Sequence, residues 1–285
     1  MSGLEESVRL IGFTSILGIF YAFTTIIAAS SFWVLVYARG IRSRVRLSLL
    51  LAWVLLSWAC ATVYVGGSSY WALQAYVYHR HPGPGPQMGA DCAQWWKGSD
   101  VAYLVGTTLS DGLVLWRFKT IWHGSRWQRW LLPIPTLLYL GSIAIGAITV
   151  VLGTFPGRTM TCSSSNTFLE RLHPFMITTA FNLITTALMA GRLYAFRREF
   201  EASVGKSLHP RHYTSIASML VESCALSTAG SFACAILYTV DSAGFDVVFP
   251  AQSQLQAIAQ MLVILRISLG VAWDATTMSS LSEEM

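Results

Sequence analysis

The chain has 285 residues, of which 54% are hydrophobic and only 12% are charged, and its mean hydropathy is +0.52. Because a soluble domain carries about a quarter charged residues, this composition excludes an ordinary soluble enzyme and is typical of a multi-pass membrane protein. The net charge of +5 comes from short basic clusters between apolar stretches. That placement indicates membrane topology and not a nucleic-acid-binding surface.

Seven apolar stretches follow one another along the chain, each with about the twenty residues that cross roughly 30 Å of hydrocarbon. Helices are expected, because a helix satisfies its backbone hydrogen bonds within the segment. We therefore predict an all-α membrane protein, a seven-transmembrane-helix bundle. The predicted spans lie at about 11–37, 47–70, 101–122, 131–153, 174–196, 213–238 and 253–273. Residues 1–10 would form the N-terminal segment, 11–275 the membrane domain and 276–285 the C-terminal tail.

The distribution of basic residues predicts how the bundle is oriented. Of the 19 lysines and arginines, 11 lie in the first, third and fifth connections or within a turn of them, 5 on the other side and 3 deeper inside spans. The larger group is Arg39, Arg42, Arg44, Arg46, Lys119, Arg126, Arg129, Arg197, Arg198, Lys206 and Arg211. Since cytoplasmic loops are enriched in basic residues, the N-terminus is predicted outside and the C-terminus in the cytoplasm. Trp122, Trp127 and Trp130 would form an aromatic belt at the inner interface.

Two predictions concern the outer side. Cys92 and Cys162 lie in connections that would face an oxidising compartment, which favours a disulfide bond between them; the alternative is two free thiols. Tyr70, Trp71 and Tyr76 would line an outer crevice for a small lipophilic ligand.

The pair His79 and His81 has too few ligands for a metal site, so we predict neither a metal nor a cofactor.

Three charged residues lie well inside the predicted spans, away from their cytoplasmic ends: Asp111 in the third, Glu222 in the sixth and Arg266 in the seventh. Each costs about 2.5–3.5 kcal/mol at the bilayer centre on insertion scales. We therefore predict one buried polar cluster with Arg266 between the two carboxylates. This cluster is either a functional element or a clamp that fixes helix packing. Arg117 and Arg192 lie nearer the cytoplasmic end, where their default is to snorkel towards the interface or to cap the inner loops.

Small residues four positions apart predict close helix packing. Such pairs are Ala187 and Gly191 on the fifth span and Ser227 and Ser231 on the sixth. Packing within one bundle is favoured over dimerisation.

The chain resembles two groups of seven-helix proteins. Its span count and predicted disulfide resemble the architecture of G-protein-coupled receptors, but the third span ends in WRFK instead of the class A aspartate-arginine-tyrosine triplet. It is more similar to a group of uncharacterised seven-helix membrane proteins of basidiomycete fungi. The matching segments are SDGLVLWRFKTIW at 110–122, LITTALMAGRLYAFRR at 183–198, VESCALSTAG at 221–230 and LVILRISLG at 262–270. This resemblance implies the seven-helix fold and implies no established activity.

The charges and the topology favour a receptor-like sensor of the plasma membrane, with the polar cluster as a two-state element. The basic inner connections would bind a cytoplasmic signalling partner or anionic lipid. The alternatives are an integral-membrane enzyme that uses two carboxylates on a lipophilic substrate, a small-solute transporter and a packing or scaffold protein. No phosphate-binding glycine loop and no nucleophile-elbow motif occurs in the sequence.

Overall fold

The computed structural model describes residues 10–37, 44–74, 90–122, 128–154, 165–204 and 244–283, together with 225, 227–237 and 239–240. This part of the chain is helical and has no strand. The helices are α1 (Leu17–Tyr37), α2 (Arg44–Leu73), α3 (Ala90–Ile121), α4 (Pro133–Thr154), α5 (Ser165–Val204), α6 (Ser227–Leu237) and α7 (Phe245–Glu283). A π-helical turn, Gly12–Ile16, precedes α1, and a four-residue turn, Gln128–Leu131, precedes α4. The predicted all-α fold is therefore confirmed.

Four of these helical segments are long and apolar enough to cross a membrane: Thr14–Tyr37, Leu47–Leu73, Arg129–Val151 and Val247–Arg266. They lie at the first, second, fourth and seventh predicted spans. Helices α3 and α5 have 32 and 40 residues and also have the length for a crossing, but they are less apolar. A membrane protein is thus confirmed by these four helices, while the count of seven crossings and the orientation stay predictions.

The polarity of α1 is reversed relative to a helix of a water-soluble protein. Its large outward side chains are apolar and include Phe23 and Ile26, which are 54% and 61% exposed. Its inward face carries hydroxyl groups, because Thr24 and Ser31 are fully buried. In water this arrangement would leave a large apolar surface exposed, whereas in a bilayer the apolar face contacts lipid and the polar groups must find partners inside.

The last helix, α7, is the most enclosed of the four membrane-crossing candidates. In its most apolar stretch 67% of the residues are buried, against 22% in α1 and α2 and 11% in the fourth span. It packs against α1, α2 and α3, while α3 also contacts α2, α4 and α5. The pair α3 and α7 therefore forms the middle of the bundle.

Helix α7 begins at Phe245, eight residues before the predicted start of the seventh span. The predicted boundary was placed after Pro250, which lies inside the helix near its N-terminus. As the sixth residue of the helix, Pro250 lies beyond the first turn and removes one backbone hydrogen bond of the helix, because it has no N–H group. The extra residues bring Gln252 into the same helix as the residues that follow it.

An apolar cluster at the end of α3 corrects two predictions. Phe118 and Trp122 are buried against Met189 of α5, with the two aromatic rings 5.9 Å apart. The prediction that Trp122 belongs to an interfacial belt is therefore wrong, whereas Trp130 is 80% exposed as that belt requires. Arg117, which was expected to snorkel, is only 4% exposed and lies inside the bundle.

No cysteine pair lies at disulfide distance in the described part of the chain, where Cys60 and Cys234 are free thiols. The predicted bridge is thus not observed; Cys162 and the side chain of Cys92 lie outside the described residues. Among the small-residue pairs, Ser227 and Ser231 are buried, and the pair is a packing surface within the bundle. The pair Ala187 and Gly191 is exposed, and packing within the bundle does not explain it.

Candidate functional site

The centre of the bundle contains a group of buried glutamines on α7. The segment PAQSQLQAIAQ places Gln252, Gln256 and Gln260 four residues apart, so they lie along one side of the helix, and Gln254 points elsewhere. All four side chains are between 1% and 5% exposed. A primary amide in an apolar interior needs hydrogen-bond partners for its donors and its acceptor. The candidate site therefore consists of these four amides and the groups that they contact.

Gln256 binds the carboxylate of Asp111, the residue at the middle of the third predicted span. Its Nε2 donates a hydrogen bond of 3.0 Å to Asp111 Oδ1, and Asp111 is 2% exposed. Asn182 of α5 also interacts with this carboxylate, but at longer range, since its Nδ2 makes no hydrogen bond of ordinary length. Helices α5 and α7 thus both present amides to one carboxyl group on α3.

Gln254 connects α7 to α1 on the opposite side. The hydroxyl of Thr24 donates a hydrogen bond of 3.0 Å to Gln254 Oε1, and both residues are buried. A weaker contact lies two helical turns further on, where Ser31 Oγ is 3.4 Å from the backbone carbonyl of Met261. The hydroxyls on the inward face of α1 therefore find their partners on α7.

Gln252 connects α7 to α6. Its Nε2 donates to the backbone carbonyl of Ser227 at 3.1 Å and to Ser231 Oγ at 2.7 Å. The carbonyl oxygen of Gln252 lies so close to Gly230 that a Cβ atom at that position would collide with it. Because glycine at 230 has no side chain, α6 and Gln252 can approach each other closely.

Gln260 lines a cavity between α2, α3 and α7 with a volume of about 30 Å³. Its other walls include Ser57 and Cys60 of α2 and Tyr103 of α3. Ser57 Oγ and Gln260 Oε1 are buried and have no hydrogen-bond partner in the described part of the chain. Gln256 also lines the cavity, so the same residue touches both this space and Asp111.

The predicted cluster of Asp111, Glu222 and Arg266 is only partly described. Arg266 lies ten residues after Gln256 on α7, which is about 15 Å along the helix axis. This register separates Arg266 from Asp111, whose observed partner is the neutral amide of Gln256. Glu222 lies outside the described residues, so its pairing with Arg266 stays a prediction.

Arg192 of α5 lies near the end of the bundle where α3 finishes. Its guanidinium carbon is 5.4 Å from the centre of the Trp122 ring. This is the geometry of a cation–π interaction, worth about 0.5–1 kcal/mol at an exposed site. The Trp122 ring keeps the guanidinium of Arg192 near the bundle surface. The position of Arg192 in the sequence had instead favoured a side chain that snorkels freely.

The predicted outer crevice is not formed by Tyr70 and Trp71 as a pair. Tyr70 is 39% exposed, whereas Trp71 packs against Leu10 and Ala72. Tyr76 lies outside the described residues.

Aromatic contacts occur one to two turns deeper. The Tyr103 ring lies 5.6 Å from Tyr64 of α2 and 5.5 Å from Phe249 of α7. The two tyrosines also line the cavity of Gln260, so the aromatic surface faces the interior.

The prediction from sequence missed the four glutamines, although a signal was present. Four glutamines within nine residues of an apolar stretch, three of them at helical spacing, indicate a polar face that must be buried among other helices. The rest of the site is amide, hydroxyl and phenol chemistry around one carboxylate. In the described part of the chain no group of three or more His, Cys, Asp or Glu could hold a metal ion.

No family model matches the chain, and no curated protein shows significant similarity to it.

Proposed function

We propose that the protein is a receptor-like sensor of the plasma membrane, in which a change in the attachment of α7 carries a signal from the outer to the inner end of the bundle. The proposal includes seven crossings, an outer N-terminus and a cytoplasmic C-terminus. The observation that carries it is the way α7 is held. Directional side-chain hydrogen bonds join it to α1, α3 and α6 at the centre of the bundle.

Hydrogen bonds of this kind suit a two-state element. In membrane proteins each contributes on average about 0.6 kcal/mol and at most about 1.7 kcal/mol. The bonds made by Gln252, Gln254 and Gln256 therefore sum to a few kcal/mol. A difference of that size leaves a second arrangement populated at roughly 0.1–10%, which a ligand can select.

The two ends of the bundle indicate where the sensor would bind its ligand and where it would bind its signalling partner. A small lipophilic ligand would enter at the outer end, where the aromatic group of Tyr64, Tyr103 and Phe249 adjoins the polar interior. At the inner end, the basic connections would bind a cytoplasmic partner or anionic lipid.

A small-solute transporter is the second candidate, favoured by the cavity that shares Gln256 with the Asp111 site. The enzyme alternative has less support. A cavity of about 30 Å³ holds about two water-sized molecules and has no room for a polyprenyl-like substrate. Flux of small polar solutes into proteoliposomes would favour the transporter, and tight liposomes would count against it.

The sensor proposal is tested by measuring the distance between the inner ends of α3 and α7. Spin labels are placed at Lys119→Cys and Leu269→Cys, both on exposed side chains, in a background whose five native cysteines are replaced by serine. Double electron–electron resonance in nanodiscs should resolve a major and a minor distance in the otherwise unchanged chain.

Gln256→Leu should enlarge the minor population, because it removes the bond to Asp111. The control, Thr149→Val, removes a hydroxyl that bonds only within its own helix, to the carbonyl of Ile145, and should leave the distribution unchanged. A single distance that Gln256→Leu does not alter would overturn the sensor proposal.

The orientation is tested separately with single cysteines in intact cells. A membrane-impermeant maleimide should label Leu73→Cys, at the end of α2, from outside. Lys119→Cys, at the end of α3, should react only after the cells are permeabilised. The reverse pattern would refute the proposed topology.

A further inference from the structure

We propose that the cavity between α2, α3 and α7 is a binding site for small uncharged hydrogen-bonding molecules, and that one or two water molecules occupy it. The cavity is lined by Ser57, Cys60, Tyr64 and Tyr103, by three of the α7 glutamines (254, 256 and 260), and by Thr107 and small residues. This site does not depend on the proposed sensor function, because it follows from the cavity and its lining alone.

Two unpartnered polar atoms point to the occupant. Ser57 is 2% exposed and Gln260 is 4% exposed, and Ser57 Oγ and Gln260 Oε1 have no partner in the described structure although both residues line the cavity. Buried polar groups in native proteins nearly always have a partner, and ordered water commonly provides it. A molecule in the cavity could donate to the glutamine carbonyl and bind the serine hydroxyl at once.

The size of the cavity limits the ligand. A water needs about 10–15 Å³ of such space, so a cavity of about 30 Å³ accepts about two. The walls supply the two to four polar partners that a buried water requires, because Thr107 and Gln256 also line it. A dry cavity is typical of an apolar lining, which this is not.

The charge of the lining limits the ligand further. Among the residues that the structure describes, the lining holds hydroxyls, amides, phenols and a thiol, but neither a carboxylate nor a basic residue. An ion taken from water would find no opposite charge in these walls, and buried charges are stable only when they are paired. Gln256 connects the cavity to Asp111, because its Nε2 is bound to that carboxylate. The site therefore selects neutral molecules and connects them to the carboxylate by a single amide.

Hydroxyl-radical footprinting tests this inference on the full chain in nanodiscs. Pulsed irradiation splits water into hydroxyl radicals at the position of each water molecule. Side chains that touch bound water are therefore oxidised. Mass spectrometry then gives the oxidation rate of each residue. Cys60 lines the cavity. Met189 and Met261 give the reference rate of easily oxidised side chains that are buried in apolar clusters, whereas Cys60 is half-buried. We expect Cys60 to react faster than either methionine, and the part of this rate that bound water contributes is measured with variants.

Two variants separate bound water from general access. The double variant Ser57→Ala with Gln260→Leu removes both unpartnered groups and should slow the oxidation of Cys60 about fivefold. If that variant does not fold, Gly106→Ala serves instead, since a Cβ there would lie 3.7 Å from the Cβ of Cys60, an ordinary contact, and would fill part of the space. Oxidation of Cys60 at the rate of the methionines, or at an unchanged rate in the variants, would overturn the proposal.

Discussion

The hydrogen bond between Gln256 and Asp111 allows the role of α7 to be measured. Gln256→Leu removes the Nε2 that lies 3.0 Å from Asp111 Oδ1, at a point where Asp111 is 2% exposed. A hydrogen bond to a charged group contributes about 1.5–3 kcal/mol, and one between membrane helices up to about 1.7 kcal/mol. We therefore expect the substitution to lower the free energy of unfolding by about 1.5 kcal/mol.

A double-mutant cycle isolates this interaction. In an Asp111→Leu background, Gln256→Leu should cost less than about 0.5 kcal/mol, because the acceptor is already gone. Gln254→Leu is the matched control. It breaks a bond of the same 3.0 Å length, but to Thr24 of α1, so its cost should be equal in both backgrounds.

Unfolding would be followed in bicelles by steric trapping, which gives the free energy without removing the bilayer environment. If Gln256→Leu costs the same with and without Asp111, the two residues are not energetically coupled. The central position given to the α3–α7 bond would then be wrong.

Three further predictions use the same unfolding assay. Gly230→Ala should be about 1 kcal/mol less stable than Gly191→Ala. A methyl group at 230 displaces Gln252, which bonds to α6, whereas a methyl group at 191 enters open space. Equal stability of the two variants would argue against the contact between Gln252 and α6. Leu35→Ala, at a fully buried site, should cost about 2 kcal/mol and Ile26→Ala, 61% exposed, much less; the opposite order would mean that the outer face of α1 does not contact lipid. Arg192→Met should cost about 0.5–1 kcal/mol through the lost cation–π contact, and an unchanged stability would remove that interaction from the account.

Hydropathy was sufficient to place the helices, because apolar length reports directly on the membrane. The predicted spans coincide with helices wherever the structure describes them. Helix ends were less predictable. The fifth helix runs over Ser165–Val204 and the predicted span covered 174–196, since a helix can continue into polar sequence beyond the hydrocarbon.

The site was harder to predict, because it depends on the register between helices. Opposite charge alone favoured Arg266 as the partner of Asp111. The packing of α3 on α7 instead aligns Asp111 with Gln256, a neutral residue whose importance no charge count reveals. The burial of Arg117 was not predicted for the same reason. Its position near the predicted cytoplasmic end does not show which face of α3 it occupies.

The contacts that hold α7 differ in how they respond to the membrane potential. The bonds to Thr24 on α1 and Ser231 on α6 join neutral groups, so voltage across the bilayer exerts no net force on them. The Asp111 contact differs from them because it can include a formal charge, and moving one charge through the full field changes the energy by about 2.3 kcal/mol per 100 mV. A movement of α3 that carries an ionised Asp111 through the field would therefore respond to the membrane potential.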